Sequence, residues 1–171
     1  MFNYMQDTSV NHMDQWTTQL SNIVTNQPTL EAWLSDPSST TQKFNSLGIS
    51  VVYQIKNASI NIPNLWPDFL STNPISRAVD IQIKELIFMQ AHSLISPYTM
   101  LIKQKIQTLN NAPLGHLLFA QNDLTRSNFY FCKGHGPFIH RLSRFHSKNL
   151  RCILLESFNS AHPFFNEAKN G

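Results

Sequence analysis

Hydrophobic and polar positions alternate most clearly in the middle of the chain and near its end. Val79, Ile81 and Ile83 alternate with Asp80, Gln82 and Lys84, the period of a half-buried strand. Leu86 to Ile95 continues apolar, interrupted by Gln90, His92 and Ser93. Together the two runs predict a hairpin turning near Lys84-Glu85, although no Gly or Asn marks the turn. One long helix is the rival reading, and the alternation before Lys84 favours strands. Ile49 to Ile55 is rich in β-branched residues and predicts an earlier strand, with Lys56 to Ile62 extending it past a bend. Ser127 to Cys132, Phe138 to Phe145 and Cys152 to Phe158 predict three further strands. Short turns at Gly134-His135-Gly136-Pro137 and Ser147-Lys148-Asn149 make these an antiparallel meander.

Helical spacing appears elsewhere. Met13, Trp16, Leu20, Ile23 and Val24 fall on one helical face. Leu30, Trp33 and Leu34 form a second stripe, with Thr29 as its N-cap. Thr40 to Leu47 predicts a short helix closed by Gly48. Thr99 to Asn110 predicts a longer one, and Leu114 to Phe119 another short element. Pro63 to Pro74 holds three prolines with Trp66 and Phe69, an ordered but irregular connection. The sum is an α+β fold, a single antiparallel sheet with helices against it, in one domain over 1–171. The first dozen residues read as a loose tail.

Composition narrows the function classes. Apolar residues make up 42% and twelve are Phe, enough for a real core, while charged residues are only 13%. The formal charge of +3 is small and scattered, apart from Lys133 to Arg151, so no nucleic-acid footprint is read. That basic stretch suits a small anionic ligand equally well. Two cysteines, Cys132 and Cys152, make neither a disulfide framework nor a metal site. His135, His140 and His146 do not gather convincingly in an alternating strand. No run reaches transmembrane length, and Asp7 and Asp14 interrupt any signal-peptide pattern. A monomeric cytoplasmic protein is the expectation.

The residue that stands out is Glu156, a carboxylate inside the apolar run Cys152 to Phe158. Burying it is costly unless it is paired, hydrogen-bonded or protonated. It is a site residue, or a structural carboxylate paired across the sheet to Arg141 or Arg144. Around it lie Pro113-Leu114-Gly115-His116-Leu117-Leu118-Phe119, Asp123-Leu124-Thr125-Arg126, Arg141-Leu142-Ser143-Arg144 and Ser160-Ala161-His162-Pro163. With Trp33-Leu34 and Thr41-Gln42-Lys43-Phe44 upstream, their order and spacing resemble the chorismate pyruvate-lyase (4-hydroxybenzoate synthase) family from about Leu30 onward.

The resemblance implies a sheet of about six antiparallel strands flanked by helices. It implies cofactor-free conversion of chorismate to 4-hydroxybenzoate and pyruvate, the step that opens ubiquinone synthesis. Glu156 matches the family's active-site glutamate, which contacts the ring 4-oxygen; kept partly protonated by burial, it would donate to that oxygen. Leu114 matches a position whose backbone N–H binds the ring carboxylate, and Gln54 falls near a ligand-lining position. Arg141 and Arg144 match the basic strand before the glutamate. The family's carboxylate-clamping arginine, counted from Arg77, falls on His92, which offers fewer donors and less charge. His92 reads equally as a ligand group or a hydrogen-bonded core histidine. A non-catalytic small aromatic-acid binder of the same fold, of the effector-sensing type, is the alternative. A plain interaction protein is the third reading.

Overall fold

The structure is a computed structural model that describes residues 15–56, 62–63 and 65–166. Among these, one antiparallel sheet carries helices on one face. Two helices, α1 (Pro28–Ser35) and α2 (Thr40–Ser46), precede strand β1 (Val52–Lys56). The hairpin β2 (Ile75–Ile83) and β3 (Leu86–Pro97) follows, then α3 (Met100–Gln107) and α4 (Leu114–Phe119). Strands β4 (Thr125–Arg126), β5 (Tyr130–Lys133), β6 (Phe138–His146) and β7 (Leu150–Asn159) close the sheet before α5 (Pro163–Asn166). The sheet order is β1-β2-β3-β7-β6-β4, and β5 pairs beside β4 along the same edge of β6. The seven strands therefore occupy six positions, and the predicted α+β class with one antiparallel sheet holds.

The long hairpin turns where the alternation predicts, at Lys84-Glu85. Both residues have positive φ, 50° and 66°, as a two-residue primed turn requires. Neither is the Gly or Asn that usually signals such a turn, so the strands' shared packing imposes the conformation.

Local readings shift in three places. The helix expected from Met13 to Val24 begins outside the described residues. From Thr17 the chain instead bridges Phe131 through two backbone bonds, 2.9 and 2.7 Å, leaving only a 3-10 turn at Leu20–Asn22. The edge strand's free backbone groups outcompete a run rich in Thr, Gln, Ser and Asn. Helix α1 starts at Pro28, not after a Thr29 cap, because proline's missing N–H costs nothing at a first helical position. The strand expected over Ile49 to Ile55 begins at Val52, and its extension from Asn57 to Asn61 lies outside the described residues.

Two apolar clusters lie on the helix-covered face. At one end Trp33, Phe44 and Phe158 meet the Phe88 ring edge-to-face, and Phe165 lies tilted against it. At the other, Ile102, Ile106, Leu117, Leu118, Phe145 and Cys152 join α3 and α4 to the sheet. The opposite face carries Leu142, Ile153 and Leu155, covered by Leu65, Trp66, Phe69 and Leu70 of the irregular connection. Strand alternation decides which side chains reach which face. Arg77, Ser93, Ala91 and Glu156 share the helix-covered face, while Gln54, Asp80, His92 and Leu155 share the other.

Candidate functional site

Between the two apolar clusters lies a cavity of about 70 Å³. It has room for a few waters. Its floor is the sheet, with Val79, Ile81, Met89, Ala91 and Leu154; its roof is α2 and α4, with Thr40, Leu114 and Phe119. The helices can approach because position 115 is Gly: a Cβ there would sit 3.1 Å from Ser39 Oγ. That hydroxyl already caps α2 by accepting from Gln42 N–H. Hydroxyls of Ser, Thr and Tyr residues also line it, and its charged groups are Arg77 on one side and Glu156 with Arg126 on the other.

Glu156 is 3% exposed and ion-paired twice. Arg141, directly opposite on β6, donates from Nε at 2.8 Å and Nη2 at 2.7 Å to Oε2. Arg126 donates from Nη2 to the same oxygen at 3.0 Å. Arg141 is 1% exposed and fixed from behind, its Nη1 donating to the carbonyls of Trp33, Leu34 and Asp36, each at 3.0 Å. Those carbonyls end α1, so the helix C-terminus and the carboxylate hold one guanidinium between them. Arg126 Nε donates to Ser143 Oγ at 3.1 Å, and its Nη1 donates to Pro37 O at 3.0 Å. Glu156 Oε1 accepts only from Thr40 Oγ1 at 3.2 Å among the described residues, so lone-pair capacity remains on the cavity side.

Burial alone would raise the Glu156 pKa, but Arg141 and then Arg126 override it, and the carboxyl titrates below its ordinary range. The two guanidiniums within 3.0 Å thus favour the ionised carboxylate over one kept protonated by burial. Burial brings Arg126 down to about 10 against the pull of Glu156, and it stays cationic at neutral pH.

At the far end, Arg77 on β2 donates from Nη2 to Ala112 O, just before α4. Its Nε is buried without a partner, and no carboxylate pairs with it among the described residues. Desolvation lowers its pKa, the mark of a cation with little to balance it. Arg77 pairs with Ser93 and Glu156 with Ala91, so the two stand two strands and two residues apart. Strand spacing and rise make that roughly 12 Å between Cα atoms.

The sequence-predicted residues divide accordingly. Glu156 and Leu114 line the cavity, and Arg141 anchors Glu156 from behind. His92 does not face it. It is buried on the opposite face near His140, and desolvation lowers its pKa to about 3, so it is neutral. Gln54 also points away and is exposed, accepting a 3.4 Å bond from Gln82 Nε2. Arg144 lies on the opposite face too, over the rings of Trp66 and Phe69. The reason is parity: His92, Gln54 and Arg144 each sit one residue from a cavity-facing position.

Arg77 and Arg126 were not read as site residues. Arg77 had a signal, since it shares its alternate positions with apolar Val79, Ile81 and Ile83, where a charge needs a reason. Arg126 had none, because its pairing with Glu156 depends on β4 reaching the edge of β6. No group of three or more potential metal ligands occurs among the described residues. None of the described helices is long and apolar enough to cross a membrane. No family model matches the chain, and no curated protein matches it.

Proposed function

We propose that the chain is a chorismate lyase-like enzyme, converting chorismate to 4-hydroxybenzoate and pyruvate. One observation carries the reading: across an apolar cavity, Arg77 lacks a carboxylate partner while Glu156 is ionised with an acceptor oxygen to spare. Three guanidiniums against one carboxylate leave this region positive, which suits a dianionic substrate. Arg77 would hold the ring carboxylate through its fork, with the first amide of α4, at Leu114, beside it. Glu156 would accept from the ring hydroxyl, a bond available in both substrate and product.

An ionised Glu156 cannot act as the acid, and the chemistry does not require one. The hydrogen on the hydroxyl-bearing ring carbon moves to the methylene of the enolpyruvyl group. The neighbouring ring carbon–oxygen bond breaks, its electrons becoming the carbonyl of pyruvate. The electrons of the lost carbon–hydrogen bond complete the aromatic ring. Atoms balance without an external acid, base or oxidant. The protein's task is to hold the two ring substituents so that methylene and hydrogen meet, and to exclude water. On this reading it works in the cytoplasm as a monomer and feeds ubiquinone synthesis.

The test is incubation with chorismate, following pyruvate and 4-hydroxybenzoate together. Equimolar release above the uncatalysed rate, reduced in Arg77→Gln, supports the proposal; release at background sinks it. The two arginines locking Glu156 favour a second reading, a non-catalytic binder of small aromatic acids. Saturable 4-hydroxybenzoate binding with no pyruvate release would select it.

A further inference from the structure

On the opposite face of the sheet, at the ends of β6 and β7, lies an open polar groove of about 480 Å³. We propose that it is a binding site for the phosphate group of a phosphorylated ligand. The inference does not rest on the cavity's chemistry: the two linings share only Arg126, whose guanidinium the groove does not use.

Strand register puts His146 directly opposite Arg151 and leaves Arg144 diagonal to Arg151 on the same face. The two guanidiniums gathered this way repel one another and need a reason to be there. Asp68 is the only acid among the groove's lining residues, and it makes no ion pair among the described residues. Arg126 borders the groove, but its guanidinium is committed to Glu156, Ser143 and Pro37. Arg144 and Arg151 are not committed. The Arg144 guanidinium has no hydrogen-bond acceptor among the described residues; it rests 5.3 Å from the Trp66 ring centre and 5.1 Å from that of Phe69. Arg151 makes one bond, Nη1 to Phe69 O at 3.2 Å, and rests over Phe69 and Tyr98.

Stacking on aromatic faces fixes a guanidinium plane while leaving its edge donors free. Two such forks, both packed on Phe69, offer more N–H groups than one planar carboxylate can accept. A tetrahedral phosphate presents at least three acceptor oxygens and two negative charges, and can satisfy both forks at once. The groove is also too roomy for phosphate alone, so it accommodates an organic group attached to it. Exposed Tyr98 lies against Arg151 and is followed in the chain by exposed Met100 and Leu101, so the phosphate could be carried by a lipid headgroup as well as by a soluble ester.

The test is titration of the full chain at constant ionic strength with inorganic phosphate, phenyl phosphate and acetate. Phosphatidylcholine vesicles with and without phosphatidic acid form a second arm. Saturable binding of a phosphate probe is expected, about tenfold weaker in Arg144→Gln or Arg151→Gln, with 4-hydroxybenzoate affinity unchanged. Soluble probes alone binding would assign a small phosphoester; vesicles alone would assign a headgroup; either upholds the phosphate site. No saturable binding in either arm, equal binding by acetate, or binding unaffected by both variants overturns it. Should a Gln variant fail to fold, Arg144→Lys and Arg151→Lys keep charge and stem, and must still weaken binding because the fork is lost.

Discussion

Replacing Glu156 by Gln keeps the side chain's shape and removes its charge. Two buried guanidiniums, Arg141 and Arg126, then share a site with no carboxylate, where they had made contacts of 2.7, 2.8 and 3.0 Å. Removing one partner of a buried ion pair costs about 3–5 kcal/mol. Arg141 cannot swing out to water, because three main-chain carbonyls hold it. In a chain of this size each kcal/mol moves the melting temperature by about 2–4 °C, so the expected drop is about 6–20 °C. The pH dependence has a definite sign. The Glu156 pKa is lower folded than unfolded, so its stabilisation is complete above the unfolded value of about 4.3 and fades as pH falls through the folded value. Wild type and variant should therefore differ most near neutrality and converge in acid, where Glu156 protonates and resembles Gln. Thermal unfolding by circular dichroism between neutral and acid pH reads both effects. A variant as stable as wild type at pH 7, or a gap that widens in acid, would refute the doubly paired, ionised carboxylate.

Other substitutions separate the site from its surroundings. Arg77→Gln should weaken 4-hydroxybenzoate binding by tenfold or more by calorimetry, the worth of a charged hydrogen bond, with little loss of stability because Arg77 has no carboxylate partner to abandon. His92→Gln should leave that affinity within about twofold, since the ring lies behind the sheet; a large loss would put His92 back in the site. Gly115→Val should lower both melting temperature and ligand affinity, because the added carbons press on the Ser39 hydroxyl that caps α2. Phe88→Ala should cost about 3–5 kcal/mol in denaturant unfolding, as the ring is fully buried among Trp33, Phe44, Phe158 and Phe165.

Much of the architecture is written in local pattern. The alternation through Val79, Ile81 and Ile83 located the long hairpin, and the apolar runs at Phe138 and Cys152 located β6 and β7. The N-terminal stretch misled because helical spacing at Trp16, Leu20 and Ile23 could not reveal that Thr17 would find an edge strand 114 positions later. Glu156 was legible for a physical reason: one charge inside an apolar strand has to be answered by something. What answers it was only half legible. Arg141 faces it through strand register, whereas Arg126 reaches it from a two-residue strand no pattern announces. His92 failed on parity, since one residue along a strand exchanges one face of the sheet for the other. Arg77, the position from which His92 was counted, faces the cavity instead.

The most direct measurement is a crystal structure with 4-hydroxybenzoate bound. The expected complex has the ligand between the sheet and helices α2 and α4, its carboxylate on the Arg77 guanidinium and its hydroxyl donating to Glu156 Oε1. A ligand lying outside this cavity, or inside it with neither group on Arg77 or Glu156, would contradict the account.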